Sequence, residues 1–149
     1  MDPRFICKRF SELSLTELYA ILQIRLEVFS IEQHCFYQDC DDRDQHSYHL
    51  MCWQEGVLVA YSRLLPVGIS YPTYCSIGRV LTKSTVRRTG IGKALLHESI
   101  RICRERFGGP IKIGAQSYLE KFYNDFGFVS TGHHYLEDDI PHMSMTLAE

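Results

Sequence analysis

The sequence lacks the features that direct a chain to nucleic acid, to a membrane or out of the cell. Its formal net charge is only −2 at pH 7, so no overall cationic field attracts nucleic acid or an anionic membrane. Its longest apolar run, residues 57–61, is far shorter than the ~20 residues of a membrane-spanning helix. The first ten residues also lack the apolar core of a secretory signal, so we expect a cytoplasmic protein that binds neither nucleic acid nor a membrane.

Ordered patterns of cysteine, glycine and proline are missing as well. The six cysteines are scattered rather than framed, which favours reduced thiols over disulfides in a chain without a secretory signal. No internal repeat, low-complexity tract or Pro/Gly/Ser-rich linker divides the chain. Its 149 residues, 45% of them hydrophobic, match the roughly 100–150 residues of a common domain with a buried core. We therefore expect one folded domain over residues 1–149.

The spacing of apolar residues predicts an α/β domain with the order strand, helix, three strands, helix, strand, helix, two strands. The predicted strands cover residues 4–10, 46–53, 57–65, 74–81, 111–115, 128–134 and 142–147. The predicted helices cover residues 15–29, 90–107 and 119–126. Ser14 and Glu17 form a capping box at the start of the first helix. The expected buried face of that helix consists of Leu15, Leu18, Leu22, Leu26 and Phe29.

A glycine-containing loop connects the strand over residues 74–81 with the helix that Gly90 opens. Unpartnered backbone N–H groups and the positive end of the helix dipole make such a helix start a site for phosphate oxygens. Gly90 and Gly92 let the backbone approach an anion closely. Positive charge comes from the neighbouring side chains of Arg87, Arg88 and Lys93. The loop is therefore a candidate anion site in a chain with almost no net charge.

Two common phosphate loops do not fit this segment. A Walker A loop requires glycine at position 87 and serine or threonine at position 94, where the chain has Arg87 and Ala94. A dinucleotide-binding fingerprint requires glycine at position 95, which is Leu95. The pattern Arg87-x-x-Gly90-x-Gly92 resembles instead the pyrophosphate loop of the GNAT acetyltransferases. The alternative is an ordinary turn before a helix.

A second segment resembles the same family. Residues 122–128, FYNDFGF, are similar to the GNAT signature in which a helix after the fifth strand places a tyrosine near the sulfur of coenzyme A. The resemblance implies that Tyr123 is the acid that protonates the departing thiolate, a role that suits a phenol with an ordinary pKa of ~10. The alternative is a structural tyrosine that packs beside Phe122 and Phe126.

The resemblance narrows to the ElaA-like group of the GNAT superfamily and extends over almost the whole chain. The matching stretches are LEVFSIEQHCFYQD at 26–39, AYSRLLP at 60–66, IGRV at 77–80, AQSYLEKFY at 115–123 and YLEDDIPH at 135–142. Three positions depart from the usual residues of the group: Ser30 replaces a hydrophobic residue, Phe36 a proline and Asp139 a glycine. The last change affects the turn that leads to Pro141 and His142.

Membership of this family implies a GNAT fold, with a mixed, mostly antiparallel sheet flanked by helices, and acetyl-CoA as co-substrate. It also implies transfer of the acetyl group to the amine of a small molecule or peptide, by direct attack in a ternary complex. The residues expected to contact coenzyme A are Arg79, Val80, Leu81, Arg87, Arg88, Thr89, Gly90, Ile91, Gly92, Lys93 and Gln116. Val80 is the expected source of the backbone N–H that stabilises the oxyanion.

Two other functions are compatible with the same resemblance. A longer acyl donor is the first, because residues 26–33 faintly resemble the acyl-homoserine-lactone synthases, which share the fold. A sensor or interaction domain that binds coenzyme A without turnover is the second. The resemblance is compatible with a homodimer and does not name the acceptor.

The general base is left open among four residues. An incoming ammonium group must lose a proton, so a carboxylate or an imidazole is needed near the thioester. The candidates are Glu32, His34, Glu137 and His142, of which Glu32 and His142 are preferred. Arg63 and Arg79 lie in otherwise apolar strands, where a buried charge needs a partner. That partner is either a carboxylate of the substrate or Glu32 and the acidic loop.

A run of acidic residues at positions 39–44 raises the question of a metal site. An EF-hand loop would need glycine at position 44 and glutamate at position 50, where the chain has Asp44 and Leu50. Zinc ligation by His34, Cys35, Cys40 and His46 lacks the paired short spacing of structural sites. We therefore expect no metal and a solvated acidic face, which would attract a cationic acceptor such as a polyamine or aminosugar.

Overall fold

The computed structural model of the chain describes residues 2–148. Within that range the strands are β1 (Arg4–Arg9), β2 (Tyr48–Gln54), β3 (Val57–Leu65), β4 (Ser76–Thr82), β5 (Ile111–Gln116), β6 (Val129–Glu137) and β7 (Ile140–Leu147). The α-helices are α1 (Leu15–Arg25), α2 (Ile91–Arg106) and α3 (Glu120–Asn124). The order and type of these elements match the sequence prediction, so the α/β interpretation is confirmed.

The strands form two antiparallel sheets that meet at one point. The first sheet has the order β1-β2-β3-β4 and the second has the order β5-β7-β6. A parallel bridge between Cys75 and Ile111 joins the start of β4 to the start of β5. The N–H of Lys112 donates a hydrogen bond of 3.0 Å to the carbonyl of Cys75 there. The expected mixed, mostly antiparallel sheet is therefore present, but β4 and β5 diverge beyond this bridge.

Helices cover both faces of the first sheet, because its central strands alternate their side chains between two cores. Leu50 and Cys52 of β2 pack in the core that α2 completes with Leu95. Met51, on the opposite face of the same strand, packs in a second core with Ile21 of α1. Burying each such aliphatic side chain contributes roughly 1.5–3 kcal/mol. The two cores together fix the position of β4, whose far end faces the gap between the sheets.

The predicted buried face of α1 is only partly correct, since Phe29 packs against the second core and Leu18 and Leu22 are half-buried. Leu15 and Leu26 are 86% and 49% exposed, and the buried residues of this region are Ile21, Ile24, Arg25 and Val28. The helical backbone also does not end at Phe29, because it continues as a wider π-helical segment, Leu26–Glu32. The guanidinium of Arg25 accounts for the difference, since it lies on the inward face, where aspartate side chains bind it.

The C-terminal hairpin is longer than predicted. β6 continues to Glu137 and β7 begins at Ile140, because a two-residue turn of Asp138 and Asp139 joins them directly. Both aspartates have positive φ, 50° and 64°, as a type I′ turn requires. Aspartate tolerates this region better than most residues, so Asp139 supports the turn in place of the expected glycine.

The remaining differences lie at the ends of elements. The predicted helix over residues 119–126 is a 3-10 turn, Ser117–Leu119, followed by the short helix α3. β2 and β4 each begin two residues later than the predicted positions 46 and 74, at Tyr48 and Ser76. Among residues 2–148, no helix combines the length and the apolar character that crossing a membrane requires.

Candidate active site

A cleft of about 650 Å³ opens where β4 and β5 diverge. Val80 and Leu81 line it from β4, and Gln116 lines it from β5. Tyr123 of α3 and His142 of β7 contribute further walls. A cleft of this volume lies in the size range of sites that bind small molecules and cofactors.

The loop before α2 presents backbone N–H groups to solvent. The first hydrogen bond of the helix runs from the Ala94 N–H to the Gly90 carbonyl, at 3.0 Å. The amides of residues 91–93 therefore precede the first internal hydrogen bond of α2. Gly90 has a φ of 92°, in the left-handed region that glycine occupies without steric cost. The hydroxyl of Thr89 donates to the carbonyl of Val86, which holds the loop in a shape suited to an anion.

The cations of this loop differ in what they contact. Nη2 of Arg87 donates to Oε1 of Glu32 at 2.6 Å and to the carbonyl of Thr82 at 2.9 Å. Arg88 and Lys93 are exposed, and neither forms an ion pair with any residue from 2 to 148. Two side-chain cations are therefore free to meet an anion at the positive end of α2, while Arg87 ties the loop to the π-helical segment.

A bulge interrupts the pairing of β4 with β3. Tyr61 pairs with Leu81 and Arg63 with Gly78, so a single residue of β3 lies opposite Arg79 and Val80. Arg79 has a φ of 50°, a left-handed conformation that costs a residue with a side chain roughly 1–2 kcal/mol. A bulge of this kind disrupts the ladder and redirects the backbone locally. It lies on the wall of the cleft.

The acidic run binds three arginines instead of forming a solvated face, so that prediction is wrong. Asp39 accepts hydrogen bonds from Nε of Arg25 at 2.8 Å and from Nε of Arg79 at 2.9 Å. Asp44 is buried and accepts from Nη1 of Arg25 and Nη1 of Arg63, each at 2.8 Å. The prediction of a solvated face failed because the loop folds inward. There its aspartates neutralise the guanidinium groups that α1, β3 and β4 place in or near the interior.

Asp41 completes this network with a bidentate pair to Arg63, at 2.8 and 2.9 Å. The partners of Arg63 and Arg79 are therefore the loop aspartates, not Glu32. Burial opposes the ionisation of Asp44, but hydrogen bonds from Arg25 and Arg63 outweigh it and hold the pKa of that carboxyl below its ordinary value. No cluster of candidate metal ligands occurs within residues 2–148.

Tyr123 both packs in the core and faces the cleft. Its ring makes T-shaped contacts with Phe122 and Phe128, at centroid distances of 5.3 and 5.8 Å. Burial raises the pKa of Tyr123 well above its ordinary value. The phenol therefore stays protonated at neutral pH and is able to donate a proton in the cleft.

The side chain of His142 is fixed by a backbone contact. Its Nδ1 lies 2.7 Å from the carbonyl of Ile140, which only accepts, so Nδ1 carries the hydrogen and the neutral ring keeps a lone pair on Nε2. That Nε2 is 3.6 Å from Oε2 of Glu137, and the ring stacks on Tyr135 at 5.6 Å. His142 is 7% exposed and lines the cleft, an arrangement suited to accepting a proton.

The chain matches the family model described as an acetyltransferase (GNAT) domain over residues 15–149. The chain belongs to the GNAT acetyltransferase family. The ElaA protein of Escherichia coli (strain K12) is 38% identical to it over 138 residues, which cover 91% of this chain and 90% of that protein. Among solved structures, the crystal structure of an acyl-CoA N-acyltransferase from Pseudomonas aeruginosa has a TM-score of 0.93 and 39% identity, covering 99% and 100% of the two chains. The crystal structure of Escherichia coli ElaA has a TM-score of 0.91 and 35% identity, and the match covers 98% of this chain and 99% of that chain.

These matches confirm the GNAT fold and the ElaA-like group, which the sequence resemblance implied. The positions expected to bind coenzyme A in a GNAT protein fall in two adjoining places. Those that line the cleft are Arg79, Val80, Leu81, Arg87, Gly92 and Gln116. Thr89, Gly90 and Ile91 line a neighbouring hollow of about 350 Å³ at the start of α2, and Arg88 and Lys93 are exposed beside it.

The four candidate bases of this GNAT chain are separated by the structure. Glu32, Glu137 and His142 all line the cleft. His34 is exposed, has a φ of 51° and does not belong to the described lining of the cleft. Gln116 pairs in register with His142, and its Nε2 donates to Oε1 of Gln33 at 3.3 Å. This contact joins β5 to the π-helical segment across the cleft.

Sequence reasoning missed several residues that shape this GNAT cleft. The arginine of α1, Arg25, lies four residues after Ile21 and three before Val28, a helical spacing that places it on the buried face. That spacing was an available signal for a buried ion pair. Tyr71 and Tyr135 also line the cleft, and no local pattern marks either of them, since distant segments bring them together.

Proposed function

We propose that this GNAT protein transfers the acetyl group of acetyl-CoA to the amine of a small molecule or peptide, by direct attack in a ternary complex. The observation that carries the proposal is the β4 bulge at Arg79 and Val80, which shares one cleft with Tyr123. The bulge supplies a backbone donor for a developing negative charge, and the phenol supplies a proton for a leaving group. Acyl transfer from a thioester needs both.

The donor is expected to bind along the loop and β4. The amides of residues 91–93, at the positive end of α2, suit the pyrophosphate of coenzyme A. Arg88 and Lys93 add two charges that no ion pair within residues 2–148 neutralises. The pantetheine arm fits the gap beside residues 79–81, where β5 has left β4. Its amide groups then pair with the backbone of β4 as a neighbouring strand would.

The chemical step uses a donor on each side of the thioester. The N–H of Val80 donates to the thioester carbonyl oxygen and stabilises the oxyanion, a contribution of about 10²–10³ in rate for a single donor. The amine nitrogen forms the new C–N bond while the C–S bond breaks, and this nitrogen then loses a second proton, which replaces the one that Tyr123 donates. Tyr123 gives its proton to the departing thiolate. The amine arrives as an ammonium ion, so it must first give a proton to a base.

We assign the base role to His142 in preference to Glu32. Glu32 is held by Arg87 at 2.6 Å, so its carboxylate already has a cationic partner. The Nε2 of His142 carries the lone pair and faces the cleft beside Glu137. A neutral imidazole with its lone pair on Nε2 is able to accept a proton there. Glu32 then positions the loop through Arg87.

The first test is an acetylation assay on the purified protein. The protein is incubated with acetyl-CoA, propionyl-CoA or octanoyl-CoA and a pooled panel of amines, and products are identified by mass spectrometry. An enzyme-dependent acetylated amine is the expected result. A product only with octanoyl-CoA would replace the acetyl donor by a longer one. Coenzyme A binding in calorimetry without any product would favour the sensor, and no binding would refute the proposal.

A Tyr123→Phe variant tests the acid. We expect kcat to fall by about 10²-fold, with the Kd for coenzyme A unchanged, because only the proton donor is lost. The matched control is Tyr19→Phe, since Tyr19 is 70% exposed on α1. An unchanged kcat in Tyr123→Phe would remove this residue from the mechanism.

A further inference from the structure

One part of the cleft holds a cation without a carboxylate partner in residues 2–148 and a carboxylate whose partner is an imidazole. We call it the tyrosine pocket, and it is formed by Arg43, Ser70, Tyr71, Tyr135 and Glu137. Elsewhere in the cleft, cationic side chains are paired with carboxylates, as Arg87 is with Glu32 and as Arg63 and Arg79 are with the loop aspartates. The tyrosine pocket differs because its two charged groups face a space that a ligand is able to fill.

Arg43 is the unpaired cation of the tyrosine pocket. Its Nη1 lies 3.4 Å from Oγ of Ser70, and it forms no ion pair with any residue from 2 to 148. Its backbone is held in place, since its N–H donates to Oδ1 of Asp41 at 3.1 Å and its carbonyl accepts from Oγ of Ser47 at 2.7 Å. The guanidinium is therefore presented from a fixed backbone, with a hydroxyl beside it.

Glu137 is the anion of the same pocket. The group nearest to its carboxylate is the imidazole of His142, at 3.6 Å from Nε2. Tyr135 stacks on that imidazole, so a carboxylate and an aromatic face lie together. A primary ammonium group is attracted to the carboxylate. It would also lie beside the Nε2 lone pair of His142, the base assigned above.

Tyr71 lines the same cleft as Arg43 and Glu137. Burial raises the pKa of Tyr71, the Glu137 carboxylate raises it further, and the Arg43 guanidinium lowers it. Both groups therefore lie within electrostatic reach of a single phenol. The hydroxyls of Tyr71 and Tyr135 also meet above Gly114, where a Cβ would overlap the Tyr135 oxygen. A side chain at position 114 would therefore require the Tyr135 hydroxyl to move.

We propose that the acceptor is a small molecule with both a primary amine and a carboxylate, an amino acid. Its amine binds beside Glu137 and Tyr135, and its carboxylate binds Arg43 with the hydroxyls of Ser70 and Tyr71. This inference rests on the proposed function and names the substrate class of the same site. Arg43 and Glu137 line the same cleft, so one ligand with an amine and a carboxylate is able to meet both charges.

Two other acceptor classes fit the charges less well. A polyamine would need excess negative charge, but Asp39, Asp41 and Asp44 are neutralised by three arginines. A phosphate-bearing amine would bring two negative charges near the Glu137 carboxylate, which repels them. A single carboxylate balances the Arg43 guanidinium and forms a bidentate pair with it.

Binding is measured in the absence of transfer, so that this inference is tested separately from catalysis. The twenty amino acids, their α-carboxamides and their decarboxylated amines are titrated by calorimetry into protein saturated with coenzyme A. At least one amino acid is expected to bind ten times more tightly than its carboxamide and its decarboxylated amine. The same set is then assayed for acetylation with acetyl-CoA.

Variants of the tyrosine pocket identify the groups responsible. In wild type the amino acid is expected to bind ten times more tightly than its carboxamide. In Arg43→Gln the two are expected to bind about equally, with the Kd for coenzyme A unchanged. Arg4→Gln is the matched control, because Arg4 is exposed in β1 and outside the cleft, and it keeps the difference seen in wild type. Glu137→Gln is expected to weaken the binding of the amino acid and of its carboxamide equally, by about tenfold, because both ligands carry the amine.

Each outcome decides one proposal. If carboxamides or polyamines bind or react with the same efficiency as the amino acids, the amino-acid inference is overturned. Acetyl transfer is left intact by that result. Amino-acid binding that depends on Arg43, without any acyl transfer, supports the pocket and overturns the proposed function. Failure of every amino acid to bind the coenzyme A-saturated protein overturns the inference.

Discussion

An Asp44→Asn substitution tests whether the buried ion-pair network stabilises the fold. Oδ1 of Asp44 accepts from Nη1 of Arg25 and Nη1 of Arg63, both at 2.8 Å. Those two arginine side chains are 0% and 3% exposed. The substitution removes one negative charge between two desolvated cations while it keeps the size of the side chain. The two buried guanidinium groups then have one negative charge fewer to balance their positive charges.

Breaking a buried ion pair by removing one partner costs about 3–5 kcal/mol. We expect about 3 kcal/mol for Asp44→Asn, because Asp39 still pairs with Arg25 and Asp41 still pairs with Arg63. This is a large share of the 5–15 kcal/mol that typically stabilises a domain. At roughly 2–4 °C per kcal/mol for a chain near this length, the Tm falls by about 6–12 °C.

Urea denaturation followed by circular dichroism measures the loss directly. The matched control is Asp42→Asn, the same chemical change two residues away in the same loop. Asp42 is exposed and forms no ion pair with residues 2–148, so we expect a change within about 0.5 kcal/mol. Equal midpoints for the two variants would refute the argument that the interior charges depend on Asp44.

Three further predictions concern packing, acid stability and thiol reactivity. Gly114→Ala is expected to raise KM for the acceptor without changing coenzyme A binding, because its Cβ overlaps the Tyr135 hydroxyl; adding Tyr135→Phe should restore KM in steady-state assays. The pKa of Asp44 is lower in the folded state, so its contribution is complete above about pH 4 and is lost as pH falls below that value. Urea titrations should therefore show wild-type stability declining below about pH 4, with a shallower decline in Asp44→Asn. A thiol reagent should label exposed Cys40 before buried Cys52, whose pKa burial raises to about 11; peptide mapping that finds Cys52 labelled first would contradict this.

Local sequence signals predicted much of the fold. The capping box at Ser14 and Glu17 is present, with the Glu17 N–H 3.0 Å from Oγ of Ser14 and the Ser14 N–H 2.8 Å from Oε1 of Glu17. β3 has the predicted bounds, Val57–Leu65, because its apolar run is buried on both faces of the sheet. The loop at Gly90 opens α2 as expected. Each of these signals involves only residues that are near one another in the chain.

The parts that failed depend on contacts between distant segments. The acidic run was expected to face water, because nothing local indicates that Asp44 meets Arg25 from α1 and Arg63 from β3. The prediction of the buried face of α1 was affected in the same way, because the spacing of the leucines was a stronger signal than a single arginine. The tyrosine pocket combines Tyr71 and Tyr135 from segments more than sixty residues apart, and periodicity does not reveal such a meeting.

The divergence of β4 from β5 has a consequence for the two sheet edges that it leaves unpaired. Beyond the bridge at Cys75 and Ile111, each strand exposes a row of backbone donors and acceptors, which is the property that makes the edge of a sheet adhesive. Here the two edges face each other across a narrow slot inside the molecule. A ligand with its own amide groups, such as the pantetheine arm of the proposed donor, would pair with these edges from within the cleft. These two inner edges thus turn toward the cleft, while β1 and β6 remain the outer edges of the two sheets.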